Sequence, residues 1–177
     1  IYATGVNTRV TVNNSLITQV LQARFRTANG IQGSNGAMIT IAGSTISRCN
    51  WGIYSYSVTN NPSIFNISGN NITDNNRGMY IIGSSSSILY PQITATNNNI
   101  HSNAEKNVYV NQGANPRSTE LDFRDNWWGS ADGVVVASGI HDYSSSASCA
   151  FVDYLPYLDA PFDQGGISTT ENYHAGL

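Results

Sequence analysis

Few residues in this sequence have the chemistry to act on another molecule. Asp122 and Asp125 lie in one segment with Arg124 between them. Two carboxylates roughly 5–9 Å apart could work as acid and base, or as acid and nucleophile. His101 titrates near neutrality and is the best single acid/base candidate, but nothing in its spacing supplies a partner. Solvated or corner positions suit Asp122, Arg124 and Asp125 better than a catalytic groove. Cys49 and Cys149 are the 2 cysteines, and the usual Cys and His spacings of a metal site are missing. No metal and no cofactor are expected. The cysteine pair leaves both a disulfide and two buried thiols open, because spacing alone does not bring two Cα atoms together.

A second set is aromatic. Tyr54, Tyr80 and Tyr109 occur in Gly52-Ile53-Tyr54, Gly78-Met79-Tyr80 and Asn107-Val108-Tyr109. With Ile53, Met79 and Val108 turned inward, these tyrosines form one outward column, which Tyr56 and Ile82 extend. Three uses compete for such an apolar strip: cover by the chain's own segment from Phe151 to Phe162, a protein interface including self-assembly, and a surface on which sugars stack.

The elements that place these residues repeat. Ile39-Thr40-Ile41, Phe65-Asn66-Ile67, Ile93-Thr94-Ala95 and Leu121-Asp122-Phe123 recur at intervals of 26 to 28 residues, with a weaker copy at Val10-Thr11-Val12. Each alternates inward apolar with outward polar residues, the pattern of a short strand. Ile46, Ile72, Ile100 and Trp128 mark a second inward position. A strand, a polar corner, a second strand and a Gly corner cannot bury an apolar face alone, but stacked coils ~4.8 Å apart can. Ser44-Thr45, Asn70-Asn71 and Asn98-Asn99 then fall in register, and their amides are expected to form a ladder. The fold class is all-β: a parallel β-helix of four to five coils. Residues 1–35 form an N-terminal coil or cap, 36–130 the coils and 131–177 a closing segment and tail.

Composition agrees. Of the 177 residues only 11% are charged, 40% are hydrophobic and the net charge is -3. Disorder goes with low hydrophobicity and high net charge, and neither holds here. One Lys, 106, and no basic run argue against nucleic acid, and no apolar run could span a bilayer. A first residue Ile1 and no signal peptide read as a processed or trimmed product.

At Asn126-Trp127-Trp128-Gly129-Ser130 the sequence resembles the right-handed parallel β-helix repeat proteins of the pectate-lyase-like superfamily, which often close with Asn-Trp-Trp-Gly. Gly139-Ile140-His141-Asp142 and then Tyr154-Leu155-Pro156-Tyr157-Leu158 through Pro161 match the stretch that usually follows. The resemblance covers roughly residues 36–162. It implies a C-terminal closure in which Trp127 and Trp128 cap the coil, and it implies polysaccharides as substrates where a member is an enzyme. Lyases of the superfamily use Arg or Lys with calcium-binding acids, and hydrolases use clustered Asp. The columns Thr40/Asn66/Thr94/Asp122, Ser47/Thr73/His101/Gly129 and Arg48/Asp74/Ser102/Ser130 stack no two acids, so a non-catalytic member is expected.

Sequons at Asn13, Asn66 and Asn71 are candidate glycosylation sites, with Asn66 outward and best placed. The expected role is a secreted or cell-surface structural protein of a sheath, layer or filament, whose partners are its own copies or other surface proteins. The alternative is a carbohydrate-active module, either a lyase- or hydrolase-like remnant or a glycan-binding domain.

Overall fold

A computed structural model of the chain describes residues 1–18, 28–56, 61–83, 89–111 and 119–166. Its strands form three parallel sheets around one core. Sheet I holds β1 (Tyr2–Thr4), β4 (Asn29–Ser34), β7 (Trp51–Tyr56), β10 (Arg77–Ile82), β13 (Lys106–Asn111) and β15 (Ile140–His141), in that order. Sheet II holds β2 (Arg9–Asn13), β5 (Met38–Ala42), β8 (Ile64–Ser68), β11 (Gln92–Thr96), β14 (Glu120–Asp122) and β16 (Phe151–Asp153). Sheet III holds β3 (Leu16–Thr18), β6 (Thr45–Ser47), β9 (Asn71–Thr73) and β12 (Asn99–His101). The chain runs II, III, I and back to II, making a right-handed solenoid of about five turns.

The register is the one the repeat predicts. Ile39 pairs with Phe65 and Phe65 with Ile93, while Ile46 pairs with Ile72 and Ile72 with Ile100. These inward positions are fully or nearly fully buried. Between sheets II and III the backbone turns through a left-handed residue in each coil: Gly43 (φ 59°), Gly69 (66°), Asn97 (55°) and Asp125 (57°). Gly and Asn adopt that conformation at little cost. The next residue always points inward and joins the ladder. Asn98 Nδ2 donates to Ile67 O, Thr96 O and Asn126 Oδ1, and Asn98 Oδ1 accepts from the backbone N–H and Nδ2 of Asn70. The column extends through Ser44 to Ser15. It is built on Asn70, Asn98 and Asn126; Asn71 and Asn99 lie beside it on the outside of the corner.

A second ladder runs along the corner between sheets III and I. Left-handed residues Arg48, Asp74 and Ser102 precede Cys49, Asn75 and Asn103. Cys49 N–H donates to Asn75 Oδ1, and Asn75 N–H and Nδ2 donate to Asn103 Oδ1. Beside it stands the column Gly30, Gly52, Gly78. A Cβ at Gly52 would meet Gly78 O at 2.6 Å and Asn75 Nδ2 at 2.9 Å, so the ladder dictates glycine there.

The segment after residue 130 does not merely cover the coil. It leaves as helix α1 (Gly133–Ser138), N-capped by Asp132 Oδ1 accepting from Val134 N–H, and returns as β15 on sheet I and β16 on sheet II. The solenoid therefore continues to Asp153. Buried Asp142 fixes that return by accepting from Val152 N–H and Ser144 N–H. Trp128 is buried in the column of Ile100, with Phe123 at 6.3 Å and Tyr154 at 6.4 Å between ring centroids. Trp127 bridges to Asn99 in the outer column.

The cysteines are not bridged. Both are buried thiols. Cys49 lies at the sheet III–I corner of the second coil and Cys149 at the I–II corner after the fifth. Three coils at ~4.8 Å per coil exceed the ~7 Å Cα reach of a disulfide.

Candidate functional site

Sheet I carries the aromatic strip. Its central outer column is Gln32, Tyr54, Tyr80, Tyr109 and His141, each paired in register with the next. Trp51 and Arg77 form the column beside it, and Tyr56, Ile82 and Asn111 the column on the other side. Ring centroids are 5.7 Å apart for Tyr54–Tyr80, 5.5 Å for Tyr80–Tyr109 and 4.3 Å for Tyr109–His141. Trp51 packs 4.7 Å from Tyr54 and 4.4 Å from Tyr80, and Tyr56 stacks on Tyr54 at 5.2 Å.

The predicted tyrosine column is present, and the structure adds Trp51, Arg77 and His141 to it. Arg77 lies over the rings of Tyr80 and Tyr109, 4.6 and 4.0 Å from their centroids. It also donates twice to Glu105, at 2.7 and 2.6 Å, which holds that carboxyl below the usual carboxylate range. Burial in the strip, with Tyr56 and Tyr80 nearby, pushes the Tyr54 hydroxyl up to about 12. Tyr54, Tyr80, Tyr109 and His141 spend much of their ring faces on one another and on Arg77. The strip is half-buried, except that Tyr80 is buried and its hydroxyl accepts from Asn111 Nδ2.

Of the three competing uses, cover of this strip by the segment from Phe151 to Phe162 does not form. Phe151 belongs to β16 on sheet II. The chain then follows the sheet II–III corner, where Leu158 N–H donates to Asn126 O and Phe162 N–H to Asn99 Oδ1. The free amides and carbonyls outside the ladder draw it there. The tail from residue 167 to 177 lies outside the described residues.

Sheet II carries the acids. Asp122 pairs with Asp153 of β16, so two carboxylates do stack on neighbouring coils, contrary to the column reading. That reading ended at the fourth repeat, whereas the strand after α1 supplies the second acid. Arg124 lies between them, 3.0 Å from Asp122 and 3.6 Å from Asp153. Its hydrogen bonds hold the Asp122 carboxyl below its usual range. Asp125 takes the left-handed corner position, its N–H donating to Pro156 O. A groove of about 440 Å³ beside Asp122 is lined by Glu120, Gln92, Thr94, Leu89 and Pro91 among others.

His101 stands apart from both faces, half-buried at a corner with Nδ1 2.9 Å from Ser102 Oγ. Burial lowers its pKa, against the pull of Asp74. It lines a cleft of about 280 Å³ with Trp128, Lys106 and Gly139 under α1. Among the described residues no cluster of His, Cys, Asp and Glu could hold a metal ion, and no helix is long and apolar enough to cross a membrane. Of the sequons, Asn13 and Asn66 are exposed, while Asn71 is half-buried and accepts from Asn99 Nδ2 at 2.7 Å.

No curated protein and no solved structure matches the chain. A family model described as a right handed beta helix region matches residues 1–153, ending where β16 ends.

Proposed function

Because the chain belongs to the right-handed β-helix family, we propose that it is an extracellular structural domain that associates side by side through sheet I. The observation that carries this reading is the aromatic strip of Trp51, Tyr54, Tyr56, Tyr80, Tyr109 and His141, left uncovered by the described C-terminal segment. Tyr, Trp and Arg are the residues enriched at protein interfaces. The low charge of the chain, 11%, lets copies approach with little repulsion. Sedimentation velocity and electron microscopy of the full chain test the reading: concentration-dependent lateral association is expected, and Tyr54→Arg weakens it at least tenfold. Association unaffected by Tyr54→Arg, or none at high concentration, sinks it.

A second reading is favoured by the groove on sheet II. Glu120 and Asp122 line it, and Asp122 stacks on Asp153 beside Arg124, which brings together the paired carboxylates a carbohydrate-active module would need. A glycan array and a uronate-release assay test it, and binding or turnover lost in Asp122→Asn supports it. Two blank results remove it.

A further inference from the structure

The cleft under α1 has hydrogen-bond donors to spare and few acceptors. Its lining includes His101, Glu105, Lys106, Asn107, Trp128 and Val135. The acceptors are largely engaged. Both Glu105 carboxylate oxygens accept from Arg77. Asn107 Oδ1 accepts from Asn103 Nδ2, and Asn103 Oδ1 accepts from Asn75. Two donors stand out against this. Trp128 is 3% exposed, and its buried Nε1 has no hydrogen-bond partner among the described residues. A buried indole N–H ordinarily finds one. Lys106 Nζ carries three hydrogens and gives one to Ser138 O, at 2.5 Å.

We propose that this cleft binds a short aliphatic monocarboxylate, its carboxylate accepting from Lys106 Nζ and Trp128 Nε1 and its body lying against Val135. An ionised carboxylate only accepts, which complements a wall whose acceptors are taken and whose donors are not. Charge selects the same ligand. Glu105 is neutralised by Arg77, and burial lowers the pKa of His101 and keeps it uncharged at neutral pH. Lys106 is then the one uncompensated charge of the lining, which a single negative charge balances and a phosphate dianion overshoots. A volume of about 280 Å³ holds an acid of a few carbons and is below the usual range for larger ligands. Because Nε1 is sealed from solvent, the wall must yield for the carboxylate to meet it. The part of the wall with least packing to lose is α1, six residues long with Val135 52% exposed. The inference rests on neither reading of the function given above.

The test is a titration of the isotopically labelled full chain with isobutyrate, followed by nuclear magnetic resonance at the indole N–H signals of its 3 tryptophans. Trp128→Phe keeps an aromatic ring in the core and identifies the Trp128 signal by its loss. Should that variant fail to fold, Trp51→Phe and Trp127→Phe identify the signal by elimination. A saturable downfield shift of the Trp128 signal is expected. Lys106→Gln should raise the isobutyrate Kd by about tenfold or more, the loss of one charged hydrogen bond. Isobutyramide, of the same shape without the charge, should bind more weakly by a similar factor. A Trp128 signal that isobutyrate leaves in place at every concentration overturns the proposal, and so does Lys106→Gln binding as the parent does. Inorganic phosphate shifting the signal at the same concentrations as isobutyrate overturns the assignment of the ligand as a carboxylate.

Discussion

Asn98→Ala removes the central rung of the inner ladder. The side chain is fully buried and takes part in five hydrogen bonds: three donated to Ile67 O, Thr96 O and Asn126 Oδ1, and two accepted from Asn70. At about 1 kcal/mol net for each bond, and more for any buried group left unsatisfied, the substitution should cost about 4–6 kcal/mol. Domains of this kind are stable by only about 5–15 kcal/mol. With a urea dependence of about 2–3 kcal/mol per molar, the midpoint should fall by about 2 M. Far-ultraviolet circular dichroism of urea melts gives the number. Two neighbours supply the scale. Asn66→Ala changes an exposed residue of β8 and should stay within about 0.5 kcal/mol. Asn71→Ala loses the bond from Asn99 and should cost about 1 kcal/mol. If Asn98→Ala moves the midpoint no further than Asn66→Ala, the ladder is not what holds the coils in register.

Three further outcomes follow from the same geometry. Gly52→Ala drives a methyl group against Gly78 O and should destabilise by about 2–3 kcal/mol, read from the same melts. Thiol titration should find Cys49 and Cys149 unreactive in the folded chain and both reactive after unfolding without reductant, because both are buried thiols; no thiols without reductant would mean a bridge. Of the ten tyrosines, Tyr54 and Tyr90 should ionise only near about 12, because burial raises both. A raised folded value means the native state holds its protons longer. The stability they contribute is thus complete below about pH 10 and is lost as pH rises toward 12. Ultraviolet difference titration of the parent and Tyr54→Phe checks this, and all tyrosines titrating together near 10 would contradict it.

The coil was legible because its inward positions obey one rule in every turn. Ile39, Phe65, Ile93 and Leu121 are all large and apolar, and Gly43, Gly69 and Asn97 all tolerate a left-handed corner. The second ladder was harder to read. Its first rung is Cys49, its rungs follow Arg48, Asp74 and Ser102, and no single residue type marks the column. Tyr54, Tyr80 and Tyr109 could be aligned because each follows an inward residue by one position. Trp51 and Arg77 lie across the Gly52–Gly78 column, where the alternation of the strand breaks. Asp153 escaped the search for stacked acids because α1 and the turn fixed by Asp142 interrupt the period before β16. Nothing in the spacing signalled that the segment after Tyr154 would follow the asparagine corner and leave the aromatic strip bare; that choice depends on the outer amide of Asn99, visible only in three dimensions.

Carbene footprinting of the native protein across a concentration series tests most directly whether sheet I is the contact face. As association proceeds, labelling of Trp51, Tyr54, Tyr109 and His141 should fall together while Thr40, Asn66 and Thr94 on sheet II stay labelled. Constant labelling of the strip through association, or protection appearing on sheet II instead, would contradict the account.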